Sequence, residues 1–331
     1  MAKNKKKYKP INKKRRTLII ALSILAGLVV IAGICIFAAN YDPSPVKEGK
    51  YDTTIVATLS YTDENGKIYT HDVTYAEVRY YIKERKLSPN QALEAITTDW
   101  VPEVMSEIYK VGLTVEDIQA MDAELEEYKN VTSIVKYEAA LEGQYMTMDL
   151  HNRFLELKYL TSRVRIDLTE TTSSPIIQEA NKDEVLAFLN EKFYASRHIY
   201  IPKEEADASA KIQDAYGKLK AGTAFADVLS EYNKDTAMTD KGIIFVEDAM
   251  VEDYFQAVKA LNEGETSQVL ELSKGYFIIE RLEADALILE NYDSACLTYA
   301  VDVYHHIYAD IQCDTEVTKE PIFDKIDSSI R

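Results

Sequence analysis

The stretch from Tyr194 to Glu283 constrains the fold of this chain more than any other part of the sequence. It opens with ASRHIYIP (195–202), whose alternation around a central histidine predicts a strand. A helical run at 206–222 ends in a glycine, and further along two β-rich runs are joined by a turn at Ser273-Lys274-Gly275. Strands and helices in this order predict a compact α+β unit with a small antiparallel sheet.

Four short motifs follow one another along this stretch. They are RHI at 197–199, L-x-x-G-x-x-F at 219–225, L-x-x-G-E-x-S at 261–267 and G-Y-x-I-I at 275–279. Their order and spacing resemble the parvulin family of peptidyl-prolyl cis-trans isomerases. The resemblance implies a parvulin-like domain over residues 194–283.

The N-terminus predicts a membrane anchor. Residues 1–16 carry nine Lys or Arg and no acid, and Leu18 to Ala39 is a run of 22 residues without a charge. As a helix this run would be about 33 Å long, enough to cross the hydrocarbon core of a bilayer. It is longer than the apolar core of a cleavable signal peptide. We therefore expect a basic cytoplasmic tail (1–16), a single transmembrane helix (17–40) and residues 41–331 outside the cytoplasm.

The charge of the remaining chain limits its partners. Removing the nine positive charges of the tail from the net charge of −17 leaves −26 on the predicted outer part. Such a surface repels nucleic acid and anionic lipid headgroups, so neither is expected as a partner of that part. Such a surface would favour basic client proteins, but the preferred interpretation is an acidic exported protein with no such preference.

The cysteines leave two alternatives open. Three cysteines do not form a disulfide framework. Cys35 falls in the predicted span, whereas Cys296 and Cys313 either pair outside or remain two free buried thiols. Nothing in the sequence fixes the distance between them, and free thiols are the default.

Residues 41–193 predict a mostly helical region that begins with a hairpin. Thr54–Tyr61 and Lys67–Val73 are β-rich and flank an Asn-Gly turn. A capping box of Thr74 with Glu77 predicts a helix over about 75–86, and Ser88 with Gln91 starts a helix that Gly112 ends. A further capping pattern predicts a helix from Thr114 to Lys129. Apolar periodicity predicts further helices near residues 132–142, 148–164 and 182–193.

Two of these segments resemble the N-terminal chaperone region of extracytoplasmic foldases of the SurA and PrsA type. They are the hairpin from Gly66 to Glu77 and the run Y-x-x-G-L-T-V-E-D at 109–117. In those foldases a C-terminal tail packs back on the N-terminal region. The resemblance therefore implies that residues 284–331, with a helix over Leu287–Ile311 and a strand over Cys313–Val317, complete the region 41–193 around an inserted parvulin domain.

Isomerisation of an X-Pro bond sets modest chemical demands. The barrier is about 20 kcal/mol and no bond is broken, so no nucleophile, metal or cofactor is required. An enzyme must hold the proline ring in an apolar pocket and favour the twisted amide, which has lost its resonance. Parvulins use a network of two histidines and an Asp or Cys beside a Met/Phe pocket.

Motif matching assigns these roles to residues of this chain. The resemblance implies that His198 and Asp235 are catalytic and that Met250 and Phe255 form the proline pocket. Because Phe255 is one residue off the usual spacing, Tyr254 is its alternative.

The match is incomplete at two places. Phe277 replaces the second histidine, and the expected GGDLG is reduced to Lys241-Gly242-Ile243-Ile244. We expect Phe277 to fill the space left by an imidazole and to turn the cleft into an apolar peptide-binding surface. Purely structural roles stay open as well: His198 as a hydrogen-bonded core histidine, Asp235 as a turn cap, and Met250 and Phe255 as core residues.

The combined interpretation is a membrane-anchored extracytoplasmic foldase that binds unfolded, newly exported polypeptides and their X-Pro segments. Isomerase activity through His198 and Asp235 is one hypothesis. A parvulin-fold holdase without catalysis is the second, and a scaffold for the secretion or cell-wall machinery is the third. The sequence predicts no oligomeric state.

Overall fold

The computed structural model describes residues 52–131 and 134–326. The predicted tail (1–16) and membrane span (17–40) lie outside these residues. Every helix within the described ranges is too short or too polar to cross a membrane. The chain divides into two compact units. We call residues 176–300 the central unit, and the described residues on either side of them the terminal unit.

A three-stranded antiparallel sheet opens the terminal unit. Strands β1 (Ile55–Thr62) and β2 (Ile68–Thr74) form the predicted hairpin, whose turn residue Gly66 has a φ of +81°. This left-handed conformation favours glycine because it has no Cβ atom. The C-terminal strand β7 (Glu316–Lys319) pairs with β1, so the sheet order is β2-β1-β7.

Five helices follow the β1–β2 hairpin in the terminal unit. They are α1 (Tyr75–Glu84), α2 (Pro89–Tyr109), α3 (Val115–Val131), α4 (Ile134–Gly143) and α5 (Met148–Thr169). A complete capping box between Ser88 and Gln91 starts α2, because each side chain satisfies a free backbone N–H. Fully buried Tyr81, Met105 and Leu168 lie in the core of this unit.

The central unit has the mixed α+β composition that the sequence predicts. Its helices are α6 (Pro175–Gln178), α7 (Lys182–Lys192), α8 (Ala208–Lys220), α9 (Phe225–Tyr232), α10 (Glu252–Lys259), α11 (Asp285–Glu290) and the first part of α12 (Tyr292–Asp314). Its strands are β3 (Tyr194–Pro202), β4 (Ile243–Phe245), β5 (Leu270–Glu271) and β6 (Gly275–Leu282). They form one antiparallel sheet of order β4-β3-β6-β5.

The two faces of this sheet carry different side chains. Successive residues of a strand point to opposite faces. Ile199 and Ile201 of β3 pack with α8 and α9 on one face. The other face, which we call the α10 face, carries Phe277 and Ile279 of β6 packed against helix α10. Residue His198 pairs with Ile279 in the β3–β6 register and so lies on the α10 face.

The C-terminal segment differs from its prediction in two respects. The predicted helix over Leu287–Ile311 is two helices, α11 and α12, and the predicted strand Cys313–Val317 begins only at Glu316. Helix α12 continues to Asp314 because Ile311 is completely buried and holds the last turn in the core. Cys296 and Cys313 are both free; Cys296 is buried and Cys313 is exposed, so the expectation of two buried thiols is wrong for Cys313.

Candidate active site

Strand β3 positions the candidate histidine. His198 lies on the α10 face and only 7% of its surface is exposed. Its Nδ1 lies 2.9 Å from the Tyr254 hydroxyl, and its Nε2 lies 3.2 Å from Oδ2 of Asp235. Both ring nitrogens therefore have a hydrogen-bond partner, one in the interior and one at the surface.

Backbone contacts hold Asp235 in place. Its Oδ1 accepts a hydrogen bond from the Ala237 N–H at 2.9 Å, which is the turn-capping geometry of an Asx motif. Asn233 ties this loop to β3, because its Oδ1 accepts from the Tyr200 N–H and its Nδ2 donates to the Asp235 carbonyl. Asp235 thus caps a turn with one carboxylate oxygen and contacts His198 with the other. Its side chain is 36% exposed.

Aromatic rings surround the imidazole. The Phe277 ring centroid lies 5.3 Å from that of His198, edge to face, and 5.7 Å from that of Tyr254. A third ring, Tyr200, lies 4.8 Å from Phe277. Since Phe277 is 7% exposed, it contributes an apolar wall next to His198 and no polar group.

The predicted pocket residues Met250 and Phe255 lie in different environments. Phe255 is 1% exposed and its ring packs 5.1 Å from Tyr194, so it supports the core and offers no surface to a ligand in this conformation. Met250 is only partly buried, at the edge of the same apolar cluster. The structure therefore brings together His198, Asp235, Tyr254 and Phe277. Met250 lies at the edge of the apolar cluster that contains Tyr254 and Phe277, and Phe255 is turned inward.

Ser196 joins this group although motif reading did not select it. Its hydroxyl lies 2.9 Å from the Tyr254 hydroxyl, and the residue is completely buried. The available signal was strand alternation, because Ser196 is two residues before His198 and shares its face. The result is a continuous polar chain from Asp235 through His198 and Tyr254 to Ser196.

Burial controls the protonation of this chain. Burial lowers the pKa of His198, and the nearby Asp235 carboxylate opposes that shift. Burial likewise raises the pKa of Tyr254 to about 12, so its hydroxyl keeps its proton at neutral pH. The site therefore holds a neutral phenol beside a histidine that favours its neutral form.

A cavity of about 580 Å³ in the terminal unit was also not predicted. It lies between α2 and α5, and its lining includes Glu103, Glu156, Leu157 and Leu160. Arg153 at its wall forms ion pairs with Glu103 and with the buried Glu77. The cavity combines apolar and acidic groups within reach of solvent.

No group of three or more His, Cys, Asp or Glu side chains in residues 52–131 and 134–326 is arranged to hold a metal ion.

Comparison with known proteins confirms the resemblance drawn from the motifs. Residues 179–285 match the family model described as PPIC-type PPIASE domain. Over 215 residues the chain is 28% identical to the foldase protein PrsA of Bacillus subtilis, covering 64% of this chain. The chain spans 65% of the length of that curated relative.

The chain also has similarity to solved structures. The crystal structure of PrsA from Bacillus subtilis is 22% identical with a TM-score of 0.29, covering 80% of this chain and 92% of that one. The parvulin NmPin of Nitrosopumilus maritimus is 24% identical with a TM-score of 0.24, covering 28% of this chain and 96% of that one.

Proposed function

We propose that this chain, which carries a parvulin-type domain over residues 179–285, is a foldase that binds unfolded polypeptides and accelerates isomerisation of their X-Pro bonds. The observation that supports catalysis is the continuous hydrogen-bonded chain from Asp235 through His198 to Tyr254 and Ser196. Although Phe277 replaces the second histidine of the family pattern, both nitrogens of His198 are bonded, to Tyr254 and to Asp235. A tyrosine hydroxyl thus stands in for the missing imidazole.

In this proposal Asp235 is the group that acts on the client. Amide resonance places partial negative charge on the carbonyl oxygen, and this charge decreases as the bond twists. A fixed carboxylate near that oxygen therefore disfavours the planar amide more than the twisted one, which lowers the barrier. His198 and the Ala237 N–H hold the carboxylate in position, and the proline ring would lie against Met250 at the rim.

A protease-coupled assay with a proline peptide tests this activity. We expect the wild-type chain to accelerate cis-trans exchange, and His198→Ala and Asp235→Ala to remove most of that acceleration. Asp227→Ala is the matched control, because Asp227 is an exposed aspartate on α9 of the same unit. Absence of acceleration at high enzyme concentration, or full activity of both site variants, would reject the isomerase proposal.

A holdase function is the second candidate, and the cavity between α2 and α5 favours it. Its apolar side chains Leu157 and Leu160 offer a surface for unfolded chains, and its acidic groups would favour basic segments. We expect Leu160→Glu to weaken suppression of client aggregation. Leu289→Glu, at a 54% exposed position of the central unit, adds the same charge elsewhere and should have no effect. Equal suppression by both variants would exclude the cavity as the client site.

We also propose that residues 17–40 anchor the protein in the cell membrane with the two units outside the cytoplasm. The support is the uncharged run of 22 residues behind nine basic ones. In intact spheroplasts, external protease should digest the two units only if they lie outside. Protection equal to that of a cytoplasmic marker would contradict this orientation.

A further inference from the structure

We propose that the hydroxyl groups of Tyr254 and Ser196 are positioning groups that hold His198 in its Nε2–H tautomer. This role goes beyond the pocket role that motif matching gave Tyr254, and its relevance to catalysis rests on the isomerase function proposed above. It assigns a task to Ser196, a buried residue outside the family motifs.

The order of donors along the chain follows from the Asp235 end. An ionised carboxylate can only accept hydrogen bonds, so Nε2 of His198 must carry the proton that bonds Oδ2 of Asp235. In a neutral imidazole the other nitrogen, Nδ1, is then an acceptor. Tyr254 must donate its hydroxyl proton to Nδ1, and the Tyr254 oxygen is left to accept the proton of Ser196.

Burial makes this order costly to change. Ser196, Tyr254 and His198 are 0%, 4% and 7% exposed, so water cannot readily replace a lost partner. A buried polar group without a partner carries a large desolvation cost. The opposite tautomer, with the proton on Nδ1, would turn Nε2 into an acceptor facing a carboxylate. That arrangement loses the His198–Asp235 bond and reverses both hydroxyl donors, so the buried Ser196 proton would lose the acceptor that Tyr254 provides.

These hydrogen bonds determine which group of the site a client can contact. With both ring nitrogens bonded inside the protein, His198 has no nitrogen left for a client amide. Asp235, whose side chain is 36% exposed, is then the end of the chain that a client can reach. His198, Tyr254 and Ser196 act through it, by fixing where its carboxylate lies.

Nitrogen NMR of the histidine side chains tests the proposal without any client. The chain has five histidines, and comparison with His198→Gln assigns the resonances of His198. At neutral pH we expect a protonated Nε2 and an unprotonated, hydrogen-bonded Nδ1. Tyr254→Phe keeps the ring and removes only the hydroxyl, so the Nδ1 resonance should shift towards that of a nitrogen without a donor. Ser196→Ala should shift it in the same direction by less.

Tyr232→Phe is the matched control. It removes a tyrosine hydroxyl of the same unit that donates to Asp214 in an exposed hydrogen bond. The His198 resonances should not move in this variant. A wild-type His198 protonated on Nδ1, or resonances that ignore Tyr254→Phe, would overturn the proposal.

The activity assay then separates the two proposals. If the wild-type chain isomerises proline peptides, Tyr254→Phe should lower kcat/KM about tenfold with KM unchanged, as expected for a group that does not touch the client. Full activity of Tyr254→Phe would overturn the positioning role in catalysis. An inactive wild-type chain rejects the isomerase function and with it that role, whereas the tautomer assignment is decided by the NMR spectra alone.

Discussion

Replacing Gly242 by alanine should destabilise the central unit through two separable effects. Gly242 has a φ of +81°, and a Cβ added there would lie 2.6 Å from the Ser196 carbonyl oxygen and 2.6 Å from Cδ1 of Leu282. The left-handed conformation costs an alanine about 1–2 kcal/mol. Overpacking against backbone adds about 1–3 kcal/mol. The free energy of unfolding should therefore fall by about 2–5 kcal/mol.

Two other glycines separate these effects. Gly222 has a φ of +92° and nothing within 4 Å of an added Cβ, so Gly222→Ala isolates the backbone cost. Gly275 has no positive φ, but its added Cβ would lie 2.6 Å from the Ile201 carbonyl oxygen, so Gly275→Ala isolates the contact. We expect the loss in Gly242→Ala to approach the sum of the other two losses.

Hydrogen exchange measured on peptides from residues 176–300 is a suitable assay, because it reports the stability of this unit by itself. Peptides from β3 and β6 should exchange faster in Gly242→Ala than in Gly222→Ala. Since Ser196 is the residue whose carbonyl is displaced, the variant should also disturb the bond between Ser196 and Tyr254. Equal exchange in the two variants would refute the reasoning, because it would show that the close contact relaxes without cost.

Three further predictions concern groups elsewhere in the two units. Burial lowers the pKa of both His151 and His198 below the ordinary value of 6.5. In acid the unfolded chain therefore binds more protons than the folded chain. The stability that these histidines contribute above about pH 6.5 is lost as the pH falls through their folded pKa values. The free energy of unfolding falls by up to about 1.4 kcal/mol per pH unit for each histidine. Urea titrations of His151→Gln should show a smaller loss, and an unchanged pH dependence would contradict this. Arg153→Met leaves the 3% exposed Glu77 carboxylate without its ion pair to Arg153. Thermal unfolding should show that the free energy of unfolding falls by about 3 kcal/mol. This is the lower end of the range for a broken buried ion pair, because His71 still contacts Glu77. Adding Glu77→Gln should restore much of it; no recovery would contradict the account. Asn233→Ala removes the hydrogen bonds between Asn233 and the loop of Asp235, and it should lower kcat/KM about tenfold with little change in Tm. Unchanged kinetics would show that this loop keeps its conformation without Asn233.

Local signals in the sequence predicted much of the terminal unit. The Asn65-Gly66 turn and the Ser88–Gln91 capping box are short-range patterns, and the structure contains both. The Thr74–Glu77 pair shows that such local patterns do not predict long-range contacts. Thr74 accepts a hydrogen bond from the Glu77 N–H as predicted, but the Glu77 carboxylate bonds Arg153, 76 residues away. A buried charge partner at that separation leaves no local trace.

The candidate site likewise combines contacts that the sequence predicts with contacts that it does not. Motif order placed His198 and Asp235 close together, and they are in hydrogen-bond contact. Motif spacing could not decide between Tyr254 and Phe255, because adjacent residues of a helix point in different directions. The packing of α10 on the sheet turns Tyr254 towards His198 and Phe255 towards the interior. The contact of Tyr254 with Ser196 joins residues 58 apart and depends on that packing alone.

The most direct test of the central claim is an NMR titration of the labelled chain with a short Ala-Pro peptide. Backbone and side-chain resonances of Asp235, Ala237, His198 and Met250 should shift together and saturate with one affinity. Met250→Glu removes the apolar contact for the proline ring and should abolish these shifts, whereas Asp227→Ala should preserve them. Shifts confined to other parts of the chain, or no shifts at high peptide concentration, would contradict the claim that a proline segment binds beside His198 and Asp235.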